Sequence, residues 1–167
     1  MATLSEAFGP VICAWCHKQL KVGDPTKPVS HGICMVCLGS VIDISVEDVR
    51  HIPSEVLDVL PFGVIRLTGE GTITGYNKME SSFSGLDPSR IIGKSFFREI
   101  APCALVKEFA GKFAKLRSSR SDGRTEFKFV FKFPRGAMLV SIVIVYDSAS
   151  DTAVILVKPK AEETNPC

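Results

Sequence analysis

Residues 127–133 read Phe-Lys-Phe-Val-Phe-Lys-Phe, an alternation of aromatic and mostly charged side chains. A period of two over the whole stretch predicts a β-strand with one aromatic face. Two further strands are predicted over Met138 to Tyr146 and over Thr152 to Lys158, with a turn at Asp147 to Asp151 between them. The C-terminal part of the chain is therefore expected to form neighbouring antiparallel strands.

The part of the chain before this stretch predicts two more strands and several helices. Gly63 to Leu67 and Thr72 to Tyr76 flank a glycine-rich turn and are typical of a hairpin. Asn77 to Lys94 is polar and predicts short helical pieces. Apolar residues then recur at helical spacing and predict one amphipathic helix after Pro102; they are Leu105, Phe109, Phe113 and Leu116. This order indicates an α+β fold in which helices flank an antiparallel sheet.

Composition excludes several classes of protein. The chain has 167 residues, of which 46% are hydrophobic, and a formal net charge of +2. Nearly balanced charges do not favour a nucleic acid or an anionic membrane as partner. The apolar run Met138 to Val145 is too short to span a bilayer. Met1 to Glu6 lacks the features of a secretion signal, so we predict a cytoplasmic protein with reduced thiols.

Four cysteines near the N-terminus form two Cys-x-x-Cys pairs, Cys13 with Cys16 and Cys34 with Cys37. Each pair turns two thiolates toward one point, and four thiolates complete a tetrahedral zinc site. A zinc-ribbon-like module is therefore predicted, with metal binding supplying its folding free energy. Two alternatives stay open. Cys16-His17 completes a c-type haem pattern, although that would require export, and the four thiols could also be unrelated core residues.

Several short motifs follow one another in the order and spacing of a known family. They are Leu60-Pro61-Phe62-Gly63-Val64-Ile65, Gly69-Glu70-Gly71, Tyr76-Asn77, Asp87-Pro88, Ile92-Gly93-Lys94-Ser95-Phe96-Phe97 and Ala101-Pro102-Cys103. In these motifs the chain resembles the photoactive yellow protein family of blue-light sensors, which have the PAS fold. The resemblance implies a PAS domain over residues 57–159. Around it we predict the four-cysteine module at 10–40, a linker at 41–56 and a loose tail at 160–167.

The resemblance also implies a chromophore. Family members carry p-coumaric acid (4-hydroxycinnamic acid) as a thioester on the cysteine that matches Cys103. Tyr76 and Glu80 match the residues that hold its phenolate oxygen, and Ser84 matches the residue that supports the tyrosine. The remaining chromophore-binding positions implied by the family are Phe62, Phe96, Ala101 and Pro102. Light would isomerise the chromophore from trans to cis, move a proton from Glu80 and partly unfold the domain.

The chemistry requires residues of these types. A thioester needs a nucleophilic thiol, and Cys103 is predicted just before a helix N-terminus, which favours thiolate. A buried phenolate needs hydrogen-bond donors. Tyr76 can donate from its hydroxyl, whereas Glu80 can donate only when protonated, and burial favours that state. Each residue alone has an ordinary explanation, as a core thiol, a core aromatic or a solvated charge.

Two positions depart from the family. Leu86 stands where the family often has an arginine that covers the chromophore, and Phe133 takes the place of a strand tyrosine. Two alternative functions therefore stay open. The first is a PAS module that binds another ligand or none, and the second is a zinc-ribbon regulator whose PAS domain mediates protein contacts. The sequence lacks the motifs of common enzyme classes, so no catalysis is expected. A separate signalling protein is expected to receive the output, and a homodimer stays open.

Overall fold

The computed structural model of the chain describes residues 8–14, 16–34, 37–38, 52–133 and 136–159. These residues form a small sheet near the N-terminus and a larger sheet with its helices. Among the described residues, none of the helices combines the length and the apolar character needed to cross a bilayer. Residues 41–51 of the predicted linker lie outside the described part of the chain.

The small sheet has three strands, with β1 (Val11–Cys13) in the centre. It pairs antiparallel with β2 (Gln19–Lys21) and parallel with β3 (Ser30–Gly32). Its buried cluster consists mainly of cysteine side chains, and Leu20 packs against them. So small an apolar core does not stabilise a domain alone, which agrees with a role for a bound ion in folding.

The large sheet contains five antiparallel strands in the order β5-β4-β8-β7-β6. Their bounds are Gly63–Thr68 for β4, Ile73–Tyr76 for β5, Gly123–Phe133 for β6, Gly136–Asp147 for β7 and Thr152–Pro159 for β8. All five predicted strands are confirmed. The aromatic side chains of β6, the strand predicted from the period-two pattern, share one face. Because β4 pairs with both β5 and β8, the strands before the helical segments and the strands after them form one sheet.

Helical segments connect β5 to β6 and precede β4. They are α1 (Ser54–Leu57), α2 (Lys78–Ser84), α3 (Pro88–Ile91), a π-turn (Phe96–Ile100), a 3-10 turn (Pro102–Ala104) and α4 (Ala110–Ser118). The side chain of Asn77 accepts a hydrogen bond from the Glu80 N–H and begins α2. Gly85 ends α2 with a φ of 74°, a left-handed conformation that glycine adopts without strain.

The two faces of the large sheet have separate apolar clusters. Side chains alternate along each strand, so that Ile65 and Ile155 enter one cluster while Val64 and Leu156 enter the other. The larger cluster includes the aromatic residues of β6, the π-turn and α4, and Phe109 contacts several of these rings edge to face. The smaller cluster is covered by α1 and the residues that lead into β4.

The structure corrects the prediction of a helix that includes Leu105. Helix α4 begins only at Ala110, and Leu105 is 57% exposed at the end of the 3-10 turn. The physical reason is local, because the backbone of Leu105 has a ψ of 53° and does not continue a helix. Cys103 therefore lies within the 3-10 turn rather than at the N-terminus of α4. The helix dipole invoked to activate its thiol does not act there.

Candidate functional site

A cavity of about 200 Å³ lies between the end of β6 and the helical segments that follow β5. Its lining combines polar side chains from β5 and α2 with a thiol and an apolar wall. The lining residues are Tyr76, Glu80, Ser84, Leu86, Phe96, Ile100, Ala101, Cys103, Phe131, Lys132 and Phe133. The cavity thus gathers most of the residues that the sequence nominated for a chromophore.

Glu80 places a carboxyl group in the buried part of this cavity. It is the third residue of α2, and its side chain is 2% exposed. Its Oε2 atom has no hydrogen-bond partner among the residues that the structure describes. Burial raises the pKa of Glu80 to about 8, although the neighbouring Tyr76 hydroxyl opposes this. The group therefore keeps its proton at neutral pH and can donate a hydrogen bond to a ligand.

Tyr76 and Ser84 form a connected pair beside this carboxyl group. The Tyr76 hydroxyl donates to Ser84 Oγ at 2.9 Å, and Ser84 donates to the Glu80 carbonyl at 2.9 Å. Ser84 Oγ also accepts a hydrogen bond from the Leu86 N–H at 3.2 Å. Burial, and then the charge of Glu80, raise the pKa of Tyr76 above its usual range, so the phenol stays neutral. This network directs the single hydroxyl proton of Tyr76 toward Ser84 at the end of the cavity.

Cys103 lies in the wall of the cavity and is exposed to solvent. The π-turn before it is closed by a hydrogen bond from the Ala101 N–H to the Phe96 carbonyl at 2.7 Å. Isolated π-turns are frequent at functional sites because they change the direction of side chains locally. A reagent can therefore reach the Cys103 thiol from solvent, and the cavity can accommodate a group that is attached to this thiol.

The other nominated residues divide into two groups. Phe96 and Ala101 line the cavity, as do the two departures from the family, Leu86 and Phe133. Phe62 is placed in the cluster on the opposite face of the sheet, where the Lys158 ammonium lies 5.3 Å from its ring centroid. Its position therefore does not support contact with a ligand in the cavity.

Pro102 starts the 3-10 turn that carries Cys103, which is a role in backbone direction. Sequence reasoning did not nominate Ile100, Phe131 and Lys132 as lining residues. The aromatic alternation of β6 gave a signal for Phe131, because that strand's aromatic face points into the same cluster. No pattern pointed to Ile100, which reaches the cavity through the π-turn.

The four N-terminal cysteines converge at a second candidate site. The sulfur atoms of Cys13, Cys16, Cys34 and Cys37 all lie within 4.8 Å of one another. Cys16 Sγ and Cys34 Sγ are 3.6 Å apart, close to the roughly 3.8 Å edge of a tetrahedron with Zn–S bonds of about 2.3 Å. Backbone N–H groups of Cys34 and Cys37 donate to Cys13 Sγ and Cys34 Sγ at 3.3 Å each. Such donors stabilise thiolates, so the donor set fits a zinc ion.

Comparison with known proteins assigns the class. The sequence profile described as the PAS fold matches residues 52–157. The photoactive yellow protein domain of the sensor histidine kinase Ppr from Rhodospirillum centenum is 34% identical and superposes with a TM-score of 0.63. That match covers 68% of this chain and 98% of the solved domain. The chain therefore belongs to the PAS-fold family.

Curated relatives narrow the assignment further. A photoactive yellow protein of Rhodobacter capsulatus is 46% identical over 74 residues, which is 44% of this chain and 60% of that protein. This match spans less than two thirds of that relative. A photoactive yellow protein of Cereibacter sphaeroides is 37% identical over 94 residues, or 56% of this chain and 73% of the relative. The chain is thus a PAS sensor of the photoactive yellow protein type, with a four-cysteine module added near its N-terminus.

Proposed function

We propose that the protein is a blue-light photoreceptor that carries p-coumaric acid as a thioester on Cys103. One observation carries the proposal. The cavity combines an accessible thiol with a buried carboxyl group, Glu80, whose Oε2 atom lacks a hydrogen-bond partner in the described part of the chain. Because buried polar atoms in native proteins are nearly always paired, the unpaired atom indicates a ligand that completes the site.

The residues present fit this chromophore. Protonated Glu80 would donate to the phenolate oxygen, and Tyr76 would donate to it as well once its hydroxyl proton turns from Ser84 toward the chromophore. Phe96 and Phe131 contribute apolar walls that exclude water from the ring. When bound, p-coumaric acid supplies the absorption of blue light and the trans–cis isomerisation. Loading requires the Cys103 thiolate to displace the leaving group of an activated ester, with the thiol proton passing to solvent.

The output follows from the proton on Glu80. As long as the carboxyl group is neutral, its burial carries a moderate cost, because a hydrogen bond can satisfy it. If Glu80 passed its proton to the neighbouring phenolate oxygen, a carboxylate would remain at a site with 2% exposure, and an uncompensated buried charge destabilises a protein by several kcal/mol. That is a large share of a typical domain's stability. We therefore infer that α2 loosens after illumination and that this partial unfolding is the signal.

Zinc is the second proposed cofactor. Cys13, Cys16, Cys34 and Cys37 would hold it with four thiolates, a set typical of structural rather than catalytic sites. The ion would stabilise the three short strands around it, whose apolar core is small. In this proposal the module and the linker change their packing on the sheet when α2 loosens. A separate cytoplasmic signalling protein then reads the change, and the receptor itself has no catalytic turnover.

Mass spectrometry of the reconstituted protein tests chromophore attachment directly. The purified chain is incubated with an activated ester of p-coumaric acid, digested and mapped. We expect one coumaroyl group on Cys103 in the native chain and none on the Cys103→Ala variant. The Cys167→Ala variant is the matched control for loss of a thiol elsewhere, and it should load normally. Modification that is spread over several cysteines, or that persists without Cys103, would refute the proposed attachment.

A non-photoactive PAS and zinc-ribbon interaction module is the second candidate. The observation that favours it is the apolar character of Leu86 and Phe133 in the cavity wall, where the family is more polar. Such a wall suits an uncharged apolar ligand as well as a chromophore. Visible absorbance distinguishes the two candidate functions. The interaction module should stay colourless after incubation with the activated ester, whereas the photoreceptor should become coloured.

A further inference from the structure

Gly63 lies against the carboxyl group of Glu80 and leaves no room for a side chain. A Cβ atom added at Gly63 would lie 1.9 Å from Glu80 Oε2 and 3.0 Å from the carboxyl carbon. Real Cβ atoms do not approach other heavy atoms so closely, so one of the two groups would have to move. The first residue of β4 and the third residue of α2 therefore fit together only when residue 63 lacks a side chain.

The backbone at this position does not explain the glycine. The glycines with positive φ are Gly71, Gly85, Gly93 and Gly136 among the described residues, and Gly63 is not one of them. Gly63 is instead an ordinary strand residue paired with Val157 of β8. A glycine inside a strand is less favourable than alanine, because it loses more backbone freedom on folding and has no side chain to pack. The remaining physical reason for glycine is the space that its missing side chain leaves open.

We propose that Gly63 is a positioning residue for Glu80, because it opens a recess that receives Oε2 and thereby sets the direction of the carboxyl group. Within the described residues this recess offers Oε2 no hydrogen-bond donor, which disfavours a carboxylate there. Because the recess leaves room for Oε2, the carboxyl group stays beside Tyr76 in the cavity wall, where a ligand can reach it. The consequence for chromophore colour rests on the proposed function, whereas the positioning itself does not.

The positioning is tested by unfolding the full chain without chromophore. Urea unfolding is measured for the native chain, Gly63→Ala, Glu80→Ala and the double variant. Overpacking of a well-packed site destabilises the folded state, so Gly63→Ala should lower the folding equilibrium constant about fivefold or more. In the Glu80→Ala background the same substitution should lower the constant much less, because the carboxyl group is gone and only the Cβ of residue 80, 3.1 Å away, remains close.

Gly75→Ala is the matched control on the same hairpin. The nearest atoms to a Cβ at Gly75 would be those of the Arg66 side chain, at 3.2 Å, and Glu80 is not among its three nearest contacts. Its effect should be the same with and without Glu80. An equal loss of stability for Gly63→Ala in both backgrounds would overturn the proposal. If Gly63→Ala does not fold alone, folding of the double variant supports the proposal and its failure to fold contradicts it.

A spectroscopic measurement extends the test to the loaded protein. Because Gly63→Ala displaces the carboxyl group, it should shift the absorption maximum in the same direction as Glu80→Gln, while Gly75→Ala leaves it unchanged. A native maximum in Gly63→Ala would contradict the positioning role. If none of the variants becomes coloured, the photoreceptor proposal fails, and the unfolding cycle still decides the role of Gly63 independently.

Discussion

At the scale of single residues, the proposed function depends on how Glu80 is buried. Helix α2 places the carboxyl group beside Tyr76, and Gly63 leaves the space that it occupies. The raised pKa of about 8 is a direct result of removing the group from water. In the proposed photoreceptor this cost is useful, because the protonated group would be stable in the dark and its ionisation would destabilise the surrounding structure.

The stability of the chromophore-free protein should therefore depend on pH through Glu80. In the unfolded chain this carboxyl group ionises near 4.5, whereas in the folded chain it keeps its proton up to about pH 8. The folded form holds more protons between these values, so the free energy of unfolding falls as pH rises. Glu80 contributes up to about 1.4 kcal/mol per pH unit to this fall.

Urea unfolding at several pH values checks this prediction. Glu80→Gln replaces the carboxyl group by an amide of similar shape that does not titrate. Between pH 4.5 and 8 its stability should fall less steeply than that of the native chain. Parallel curves for the two proteins would mean that Glu80 has an ordinary pKa in the folded state.

Ser84 should contribute to stability as well as to orientation. Ser84→Ala removes the acceptor of the Tyr76 hydroxyl and of the Leu86 N–H, at a serine that is 8% exposed. Leaving such groups unsatisfied costs about 1–3 kcal/mol. Thermal unfolding should show this loss, and Ser82→Ala is the control, because exposed Ser82 donates only to Met79. Equal melting temperatures for the two variants would contradict the contribution of Ser84.

At the scale of elements, the first turn of α2 is attached to the segment that precedes β4. The Asn77 side chain donates to the carbonyls of Leu57 and Phe62 at 2.8 and 3.0 Å, and it accepts from the Glu80 N–H at 3.0 Å. One side chain thus connects the functional helix to the residues that lead from the linker. A displacement of Glu80 can therefore be transmitted to that segment through the hydrogen bonds of Asn77.

Asp58 strengthens the same attachment. Its carboxylate accepts a hydrogen bond from the Lys78 N–H at 2.9 Å, which holds the pKa of Asp58 below its usual range. The ammonium of Lys78 lies 3.3 Å from the carboxylate but its side chain is 80% exposed, so the ion pair itself contributes little. The backbone hydrogen bond is therefore the stronger part of this contact.

Asp58→Ala should loosen the segment before β4 without disturbing the cavity. We expect faster hydrogen exchange at residues 52–62, because the free first turn of α2 no longer fixes them. Asp58→Asn keeps an acceptor for the Lys78 N–H and should stay close to the native rates. If Asp58→Ala exchanges as slowly as Asp58→Asn, the backbone hydrogen bond does not hold the segment.

The sequence predicted the elements with strong periodicity and missed those governed by local backbone geometry. The aromatic alternation of 127–133 correctly gave β6, because a strand exposes its pattern at a period of two. The helical spacing from Leu105 onward did not reveal the 3-10 turn that delays α4 to Ala110. A resemblance likewise nominated Phe62 by position, whereas strand alternation places it on the opposite face.

At the scale of the whole molecule, the protein joins a PAS sensor to a module that lacks a large apolar core. The two units depend on different sources of stability, burial of apolar side chains in the first and four thiols with a proposed ion in the second. The family resemblance led us to expect a buried, protonated Glu80, whereas the recess at Gly63 was not readable from the sequence, because it depends on contacts between α2 and β4.

Removal of zinc should unfold the four-cysteine module and leave the PAS domain folded. A chelator should abolish hydrogen-exchange protection in residues 10–34 while residues 63–159 keep theirs, because only the four-cysteine module depends on the ion. Cys13→Ser should have the same effect without chelator, and Cys103→Ser is the control that leaves the cluster intact. Retained protection of the module after chelation would show that it folds without metal.

The central claim is that this chain senses blue light, and reversible photobleaching of the reconstituted protein tests it most directly. The chain is loaded with activated p-coumaric acid, and its visible absorption is followed before, during and after blue illumination. We expect a blue-absorbing band that requires Cys103, bleaches in light and returns in darkness, with a shifted maximum in Glu80→Gln. A colourless protein, or a band that light does not change, would contradict it.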